Sequence, residues 1–125
     1  MAKILIIEDD TFLVELLVNH LKKEGLDVSF APDGEKAFKE IEAARPALII
    51  LDLILPGMGG YEFLRKIKDD KTLSSIPVIV LSNLGSRDEV ERAKALGAKD
   101  FLIKAQFDLK DITKKIRKVL GETSS

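Results

Sequence analysis

Five residues of this chain could do chemistry together if the fold gathers them: Glu8, Asp9, Asp52, Ser82 and Lys104. Asp52 is the demanding one. It sits in Ala47-Leu48-Ile49-Ile50-Leu51-Asp52-Leu53-Ile54-Leu55-Pro56-Gly57, a single carboxylate between two aliphatic runs closed by a turn signal. A carboxylate in such surroundings stays ionised only if a positive charge or several hydrogen-bond donors wait for it. Taken alone, Asp52 has a plainer reading as a cap of the following segment, since Asp is favoured in caps and turns.

The elements that must position these residues can be read from apolar spacing. Lys3 to Ile7 is a buried-type strand running into Glu8-Asp9-Asp10, and Leu13, Leu16, Leu17 and Leu21 recur at helical spacing from Thr11 to Glu24, with Gly25 as a stop. A strand over Asp27 to Ala31, the turn Pro32-Asp33-Gly34 and a helix to about Ala44 follow, with Ala37, Phe38 and Ile41 inward. After Arg45-Pro46 the central strand ends at Asp52, and Gly60 to Asp70 reads as a helix with Phe63, Leu64 and Ile67 on one face. Val78 to Leu81 forms a strand ending in Ser82, and Ser86 to Leu96 a charged helix with Val90, Ala93 and Leu96 as its apolar positions. Asp100 to Ile103 is a strand ending in Lys104, and Asp108 to Leu120 the last helix, with Leu109, Ile112, Ile116 and Leu120 inward.

Strands and helices that alternate with short connections specify an α/β fold: one doubly wound, five-stranded parallel sheet, (βα)5, with right-handed crossovers. No linker or low-complexity tract divides the chain, so residues 1–125 read as one domain. In such a sheet all strands end at the same edge, which brings Glu8, Asp9, Asp52, Ser82 and Lys104 together. Each has a plain structural explanation by itself, as helix-dipole charge, cap or exposed lysine. Their joint placement is what argues for a site.

Carboxylates about 5 Å apart repel by roughly 3 kcal/mol per pair at an effective dielectric near 20, so a cation is implied. Oxygen donors without His or Cys favour a hard ion, and two or three carboxylates plus waters suit Mg²⁺. A metal ion, an ammonium and a hydroxyl around a carboxylate form a receptacle for a phosphoryl group, with Asp52 as the nucleophile of an aspartyl phosphate.

The totals remove several other classes. There is no cysteine, hence no disulfide framework and no thiolate chemistry, which suits a reducing compartment. Lysine plus arginine total 20 against 21 aspartate plus glutamate, a net charge of -1 that makes no general case for nucleic-acid binding. Lys110, Lys114, Lys115, Arg117 and Lys118 gather on the last helix, but cations are expected near a helix C-terminus and Asp108 and Asp111 offset them. The one histidine, His20, reads as an ordinary helix-face residue. No apolar run is long enough to span a bilayer, and Met1-Ala2-Lys3 enters the first strand directly, so the expectation is no membrane insertion and a cytoplasmic location.

Four pieces, Ile-Glu-Asp-Asp, Leu-Asp-Leu-Ile-Leu-Pro-Gly-Met, Val-Leu-Ser and Gly-Ala-Lys-Asp-Phe-Leu-Ile-Lys, closely resemble the response-regulator receiver (CheY-like) family of two-component signalling. The resemblance covers essentially the whole chain. It implies flavodoxin-like strand order 2-1-3-4-5 and a phosphorelay role, in which Asp52 takes phosphate from a phosphohistidine of a histidine kinase or phosphotransfer protein. It implies that Glu8, Asp9, Asp52 and the backbone carbonyl of Ile54 hold Mg²⁺, with Glu8 acting through water. Ser82 and Lys104 would contact the phosphoryl oxygens, and Phe101 would be the aromatic switch that follows Ser82 inward. The module would catalyse only its own phosphorylation and dephosphorylation and would pass its state to a downstream output protein.

Three positions depart from the family pattern. Ala105 follows the lysine where a cis-proline is usual; a cis bond before a non-proline costs about 3 kcal/mol, so a trans bond is expected. Asn83 stands where a small residue is usual, and Phe101 lacks the hydroxyl of the commoner tyrosine. Two other readings compete, the first of the same architecture. A flavodoxin-like small-ligand carrier would want an anion-binding loop after the first strand, where this chain has Glu8-Asp9-Asp10. A phosphohydrolase with an aspartate nucleophile resembles a family that wants an acid two residues on, where this chain has Ile54.

The first helix carries Phe12, Val14 and Val18 besides its leucines, an apolar stripe wider than the roughly 100° that a surface helix needs. The surplus, with the Ala105-Gln106 loop, is expected to dock the kinase, while the last two helices and fifth strand carry the output.

Overall fold

A computed structural model describes residues 3–83, 86–105 and 108–123. Its strands are β1 (Lys3–Ile7), β2 (Asp27–Ala31), β3 (Leu48–Asp52), β4 (Val78–Ser82) and β5 (Asp100–Ile103). They alternate with helices α1 (Thr11–Lys23), α2 (Gly34–Ala43), α3 (Gly60–Asp69), α4 (Arg87–Ala95) and α5 (Leu109–Thr123). The strands form one parallel sheet in the order β2-β1-β3-β4-β5. This is the flavodoxin-like topology expected above.

The unbroken apolar runs of the strands follow from burial on both faces. Ile4, Ile6, Leu48, Ile50, Ile79 and Leu81 pack on one side with Leu17 and Leu21 of α1 and Ile112, Ile116 and Val119 of α5. Their alternating neighbours Leu5, Ile7, Ile49, Leu51, Val78 and Val80 pack on the other with Ala37 and Ile41 of α2, Phe63, Leu64 and Ile67 of α3, and Ala93 of α4. Each such aliphatic side chain, once fully buried, stabilises the fold by about 1.5–3 kcal/mol. A one-residue slip in any strand would exchange the two sets.

Four of the five helices begin where side chains satisfy their first N–H groups, the exception being α3, which starts after Gly59 without a side-chain cap. Asp10 accepts from Leu13 N at 3.2 Å, Asp33 from Lys36 N at 2.8 Å and Ser86 from Glu89 N at 3.2 Å. Asp108 and Asp111 cap reciprocally, Asp111 N donating to Asp108 Oδ1 at 2.9 Å and Asp108 N to Asp111 Oδ2 at 3.2 Å.

Three helix faces differ from the sequence expectation. On α1 the buried residues are Val14, Leu17 and Leu21, whereas Leu16 is 42% exposed and Phe12 75% exposed. Val14 is therefore core, and the surplus apolar surface belongs to Phe12 and Leu16. On α4 only Ala93 is buried; Val90 and Leu96 are half-buried. On α5 Val119 replaces Leu120 among the buried residues, and Leu109 is half-buried. His20 is more than a face residue, because its Nε2 lies 2.9 Å from Thr113 Oγ1 and ties α1 to α5.

Candidate functional site

The C-terminal ends of β1, β3, β4 and β5 deliver Glu8, Asp52, Ser82 and Lys104 to one edge of the sheet, as their spacing predicts. Register makes the meeting possible: Ile7 pairs with Leu51, Asp52 with Leu81, and Ser82 with Ile103. Lys104 N then donates to Ser82 O at 2.8 Å, extending the β4–β5 ladder by one bond to the lysine itself.

Glu8 and Asp52 are 2% and 4% exposed and Ser82 is fully buried, whereas Asp9 is exposed. The acidic triplet after β1 thus divides its work by position. Glu8 points inward, Asp9 stands at the rim and Asp10 caps α1. Glu8 Oε2 accepts from Asp9 N at 3.0 Å and Asp10 N at 3.2 Å. Glu8 Oε1 is buried against the Lys104 ammonium, an ion pair that is its sole partner among the described residues. The same ammonium lies 3.4 Å from Asp52 Oδ2. Asp52 Oδ1 accepts from Ile54 N at 3.2 Å, so both carboxylate oxygens of Asp52 have fixed partners.

The electrostatics of this group are unbalanced. Burial pushes the Glu8 carboxyl from 4.5 up to about 7; Lys104 acts against the rise and the neighbouring Asp52 adds to it. Burial would lower Lys104, but hydrogen bonding and charge from Glu8 and Asp52 outweigh it and raise the ammonium above its ordinary value. One cation thus serves two buried carboxylates. Carboxylate oxygens of Glu8, Asp9 and Asp52 lie within 4.8 Å of one another. An all-oxygen donor set of this kind, with net negative charge and one face at the rim, fits a hard divalent cation.

The loop after β3 is held close to Asp52 by Gly60. Gly60 N donates to Leu53 O at 3.0 Å, and a Cβ at this position would stand 2.6 Å from Asp52 O. Only glycine lets α3 start so near the strand end. Ile54, two residues after Asp52, is 59% exposed at the mouth of the site. Phe101 is half-buried and packs against the core cluster shared by α2, α3 and α4. The Lys104–Ala105 peptide is trans, as expected for a non-proline, and Asn83 is exposed. Gln106 of the expected docking loop lies outside the described residues.

Sequence reasoning missed one cluster near this edge. Tyr61 on α3 donates its hydroxyl to Glu89 of α4, and Arg92 of α4 lies over the Tyr61 ring at 4.0 Å from its centroid. Nothing in the spacing of either helix signals that pairing.

The model of the response regulator receiver domain matches residues 4–117. The chain is 32% identical over 120 residues to the heme response regulator HssR of Staphylococcus aureus, covering 96% of this chain and 52% of that protein. It is 33% identical over 115 residues to the DNA-binding response regulator MtrA of Mycobacterium leprae, covering 92% and 49% respectively. The chain therefore spans about half the length of these two curated relatives. A crystal structure of a two-component response regulator from Clostridium difficile superposes with a TM-score of 0.92 at 26% identity, covering 100% of both chains. No helix among the described residues is long and apolar enough to cross a membrane.

Proposed function

Since the chain belongs to the response regulator receiver domain family, the phosphoacceptor signalling domains of two-component systems, we propose that Asp52 is its phosphoryl acceptor and that residues 1–125 act as one receiver unit. The observation that carries the assignment is the placement of Asp52: buried at the end of the central strand, within ion-pair distance of Lys104 and in a cluster with Glu8 and Asp9.

The donor is a phosphohistidine of a histidine kinase or phosphotransfer protein. A carboxylate oxygen of Asp52 forms the new O–P bond as the N–P bond to the donor imidazole breaks, and the released imidazole takes up a proton. Lys104 holds the phosphoryl oxygens by charge, and Ser82, buried at the end of β4, supplies a hydroxyl. The Ile54 N–H fixes the Asp52 carboxylate in orientation. Glu8, Asp9, Asp52 and the Ile54 carbonyl are the groups that would hold Mg²⁺. The ion would supply positive charge to the transferring oxygens.

Phe101 follows Ser82 as the switch. Lacking a hydroxyl, its two positions differ by burial alone. The only reaction assigned to the chain is its own phosphorylation and dephosphorylation, and its product is a changed surface for an output protein. Phe12 and Leu16 on α1 are the apolar residues we assign to kinase docking, replacing the buried Val14. MtrA is named as DNA-binding, but here Lys115 is engaged by Asp100 at 2.9 Å and Arg117 by Glu24 O at 2.7 Å, so we assign no nucleic-acid contact to these residues. A cytoplasmic location follows from this reading, since the kinase's phosphohistidine is made there.

Incubation with acetyl phosphate and Mg²⁺, read by intact mass, tests the proposal. The wild type gains one phosphoryl group; Asp52→Asn gains none. Phosphate retained on the variant would move the acceptor elsewhere, and no labelling of the wild type would reject the reading against a ligand carrier.

A further inference from the structure

α4 is the least anchored helix of the fold. Ala93 is its one buried residue, and its other residues are half-buried or exposed. What ties it down is polar. The Tyr61 hydroxyl donates to the Glu89 carboxylate and lies 3.5 Å from the Glu89 carbonyl oxygen, while the Arg92 guanidinium covers the ring. The phenol is thereby held on two sides by two residues of α4 less than one turn apart.

The other end of the clamp reaches the acceptor. Tyr61 follows Gly60, whose N–H bonds Leu53 O and whose backbone leaves no room for a Cβ beside Asp52 O. The first turn of α3 cannot shift without moving that loop, nor the loop without moving the first turn.

We propose that Tyr61 is a positioning residue that couples the acceptor loop to α4, so that a rearrangement at Asp52 reaches α4 through one phenol as well as through Ser82. The coupling rests on the phosphoacceptor reading; the clamp itself does not. Burial raises the Tyr61 hydroxyl to about 12, with hydrogen bonding and charge from Glu89 adding to the rise and Arg92 opposing it. The phenol is therefore a permanent donor at any physiological pH, and the clamp responds to movement and not to proton concentration. A hydrogen bond to a charged acceptor under a stacked cation also has a narrow geometric optimum, which makes it sensitive to small displacements.

The chain contains one tyrosine and no tryptophan, so its tyrosine emission reports this side chain alone. Emission should change when the wild type is loaded with Mg²⁺ and beryllofluoride, a phosphoryl stand-in. In Tyr61→Phe, which keeps the ring, α4 amides should exchange about tenfold faster without any probe, the loss expected for one hydrogen bond to a charged group. Their response to loading should shrink, while acetyl phosphate still labels Asp52 as in the wild type. Glu89→Gln should raise the unloaded emission, because a phenol bonded to a carboxylate emits weakly.

Unloaded α4 exchange that is identical in Tyr61→Phe and wild type would overturn the clamp. A full α4 response to loading in the variant, or wild-type emission indifferent to loading while Asp52 is labelled, would overturn the coupling. Absence of labelling in the wild type would instead reject the acceptor reading, and the unloaded comparison would still judge the clamp.

Discussion

Two helices flank β5, one on each face of the sheet, and they are held in opposite ways. α5 buries Ile112, Ile116 and Val119 and adds three polar ties: Thr113 to His20, Lys115 to Asp100, and Arg117 to Glu24. Lys115 and the backbone of Phe101 hold Asp100 below its ordinary range against the opposing effect of burial. α4 buries Ala93 alone and leans on Tyr61. Hydrophobic burial is non-directional and costly to undo, whereas a few polar contacts can be remade in a new geometry at little net cost. Burial thus anchors the α1–α5 side more firmly than the α4 side.

Alanine substitutions break the comparison most directly. Ile116→Ala should destabilise the protein by about 2–5 kcal/mol, the range for a fully buried aliphatic side chain. Val90→Ala, at a half-buried position on α4, should cost less than about 1 kcal/mol. Urea melts of the two variants measure the difference; equal losses would mean that α4 is as firmly packed as α5.

The next effect in size concerns the charges beside β5. Glu8 rises from 4.5 to about 7 on folding, so between those values the folded protein binds more protons than the unfolded chain. Stability contributed by this group is therefore greatest below about pH 4.5 and falls as pH rises to about 7, by up to about 3 kcal/mol at 1.36 kcal/mol per unit. In EDTA, the stability of Glu8→Gln relative to wild type should climb across that window and level off above it. A difference that stays flat with pH would show that Glu8 titrates normally.

The smallest effect on the fold sharpens the view of the α1–α5 side as a fixed wall. Leu16 is on the exposed ridge of α1, so Leu16→Arg should change stability by no more than about 0.5 kcal/mol. Labelling by acetyl phosphate should be unchanged, while transfer from a phosphorylated kinase should fall. Unchanged transfer would remove α1 from the docking surface.

What the sequence revealed divides along the same line. Strand ends and the convergence of Glu8, Asp9, Asp52, Ser82 and Lys104 were legible because runs buried on both faces are unambiguous and a parallel sheet puts their ends together, whereas strand order came only from the resemblance to the receiver family. The inward face of α1 was not, because apolar residues at Phe12, Leu13, Val14, Leu16, Leu17 and Val18 suit several helix orientations. Packing against β1 and its neighbours chose Val14, Leu17 and Leu21. On α4 the pattern suggested a three-residue stripe, but only the middle residue, Ala93, is buried. Tyr61, Glu89 and Arg92 were illegible altogether. Their meeting depends on the distance between two helices, which no spacing within either one encodes.

The sheet order also fixes a sequence of events. Every pairing in it is between strands separated by a crossover, so no part of the acceptor edge forms locally, and such non-local contacts form slowly. Glu8, Asp9 and Asp52 leave the ribosome before Lys104, which sits at the end of the last strand, itself an edge strand. A nascent chain that has joined β1 to β3 but lacks β5 holds three carboxylates with no ammonium between them. Until β5 docks, that intermediate must keep its carboxylates hydrated, protonated or bound to a metal ion, and the arrival of Lys104 both completes the sheet and relieves the charge.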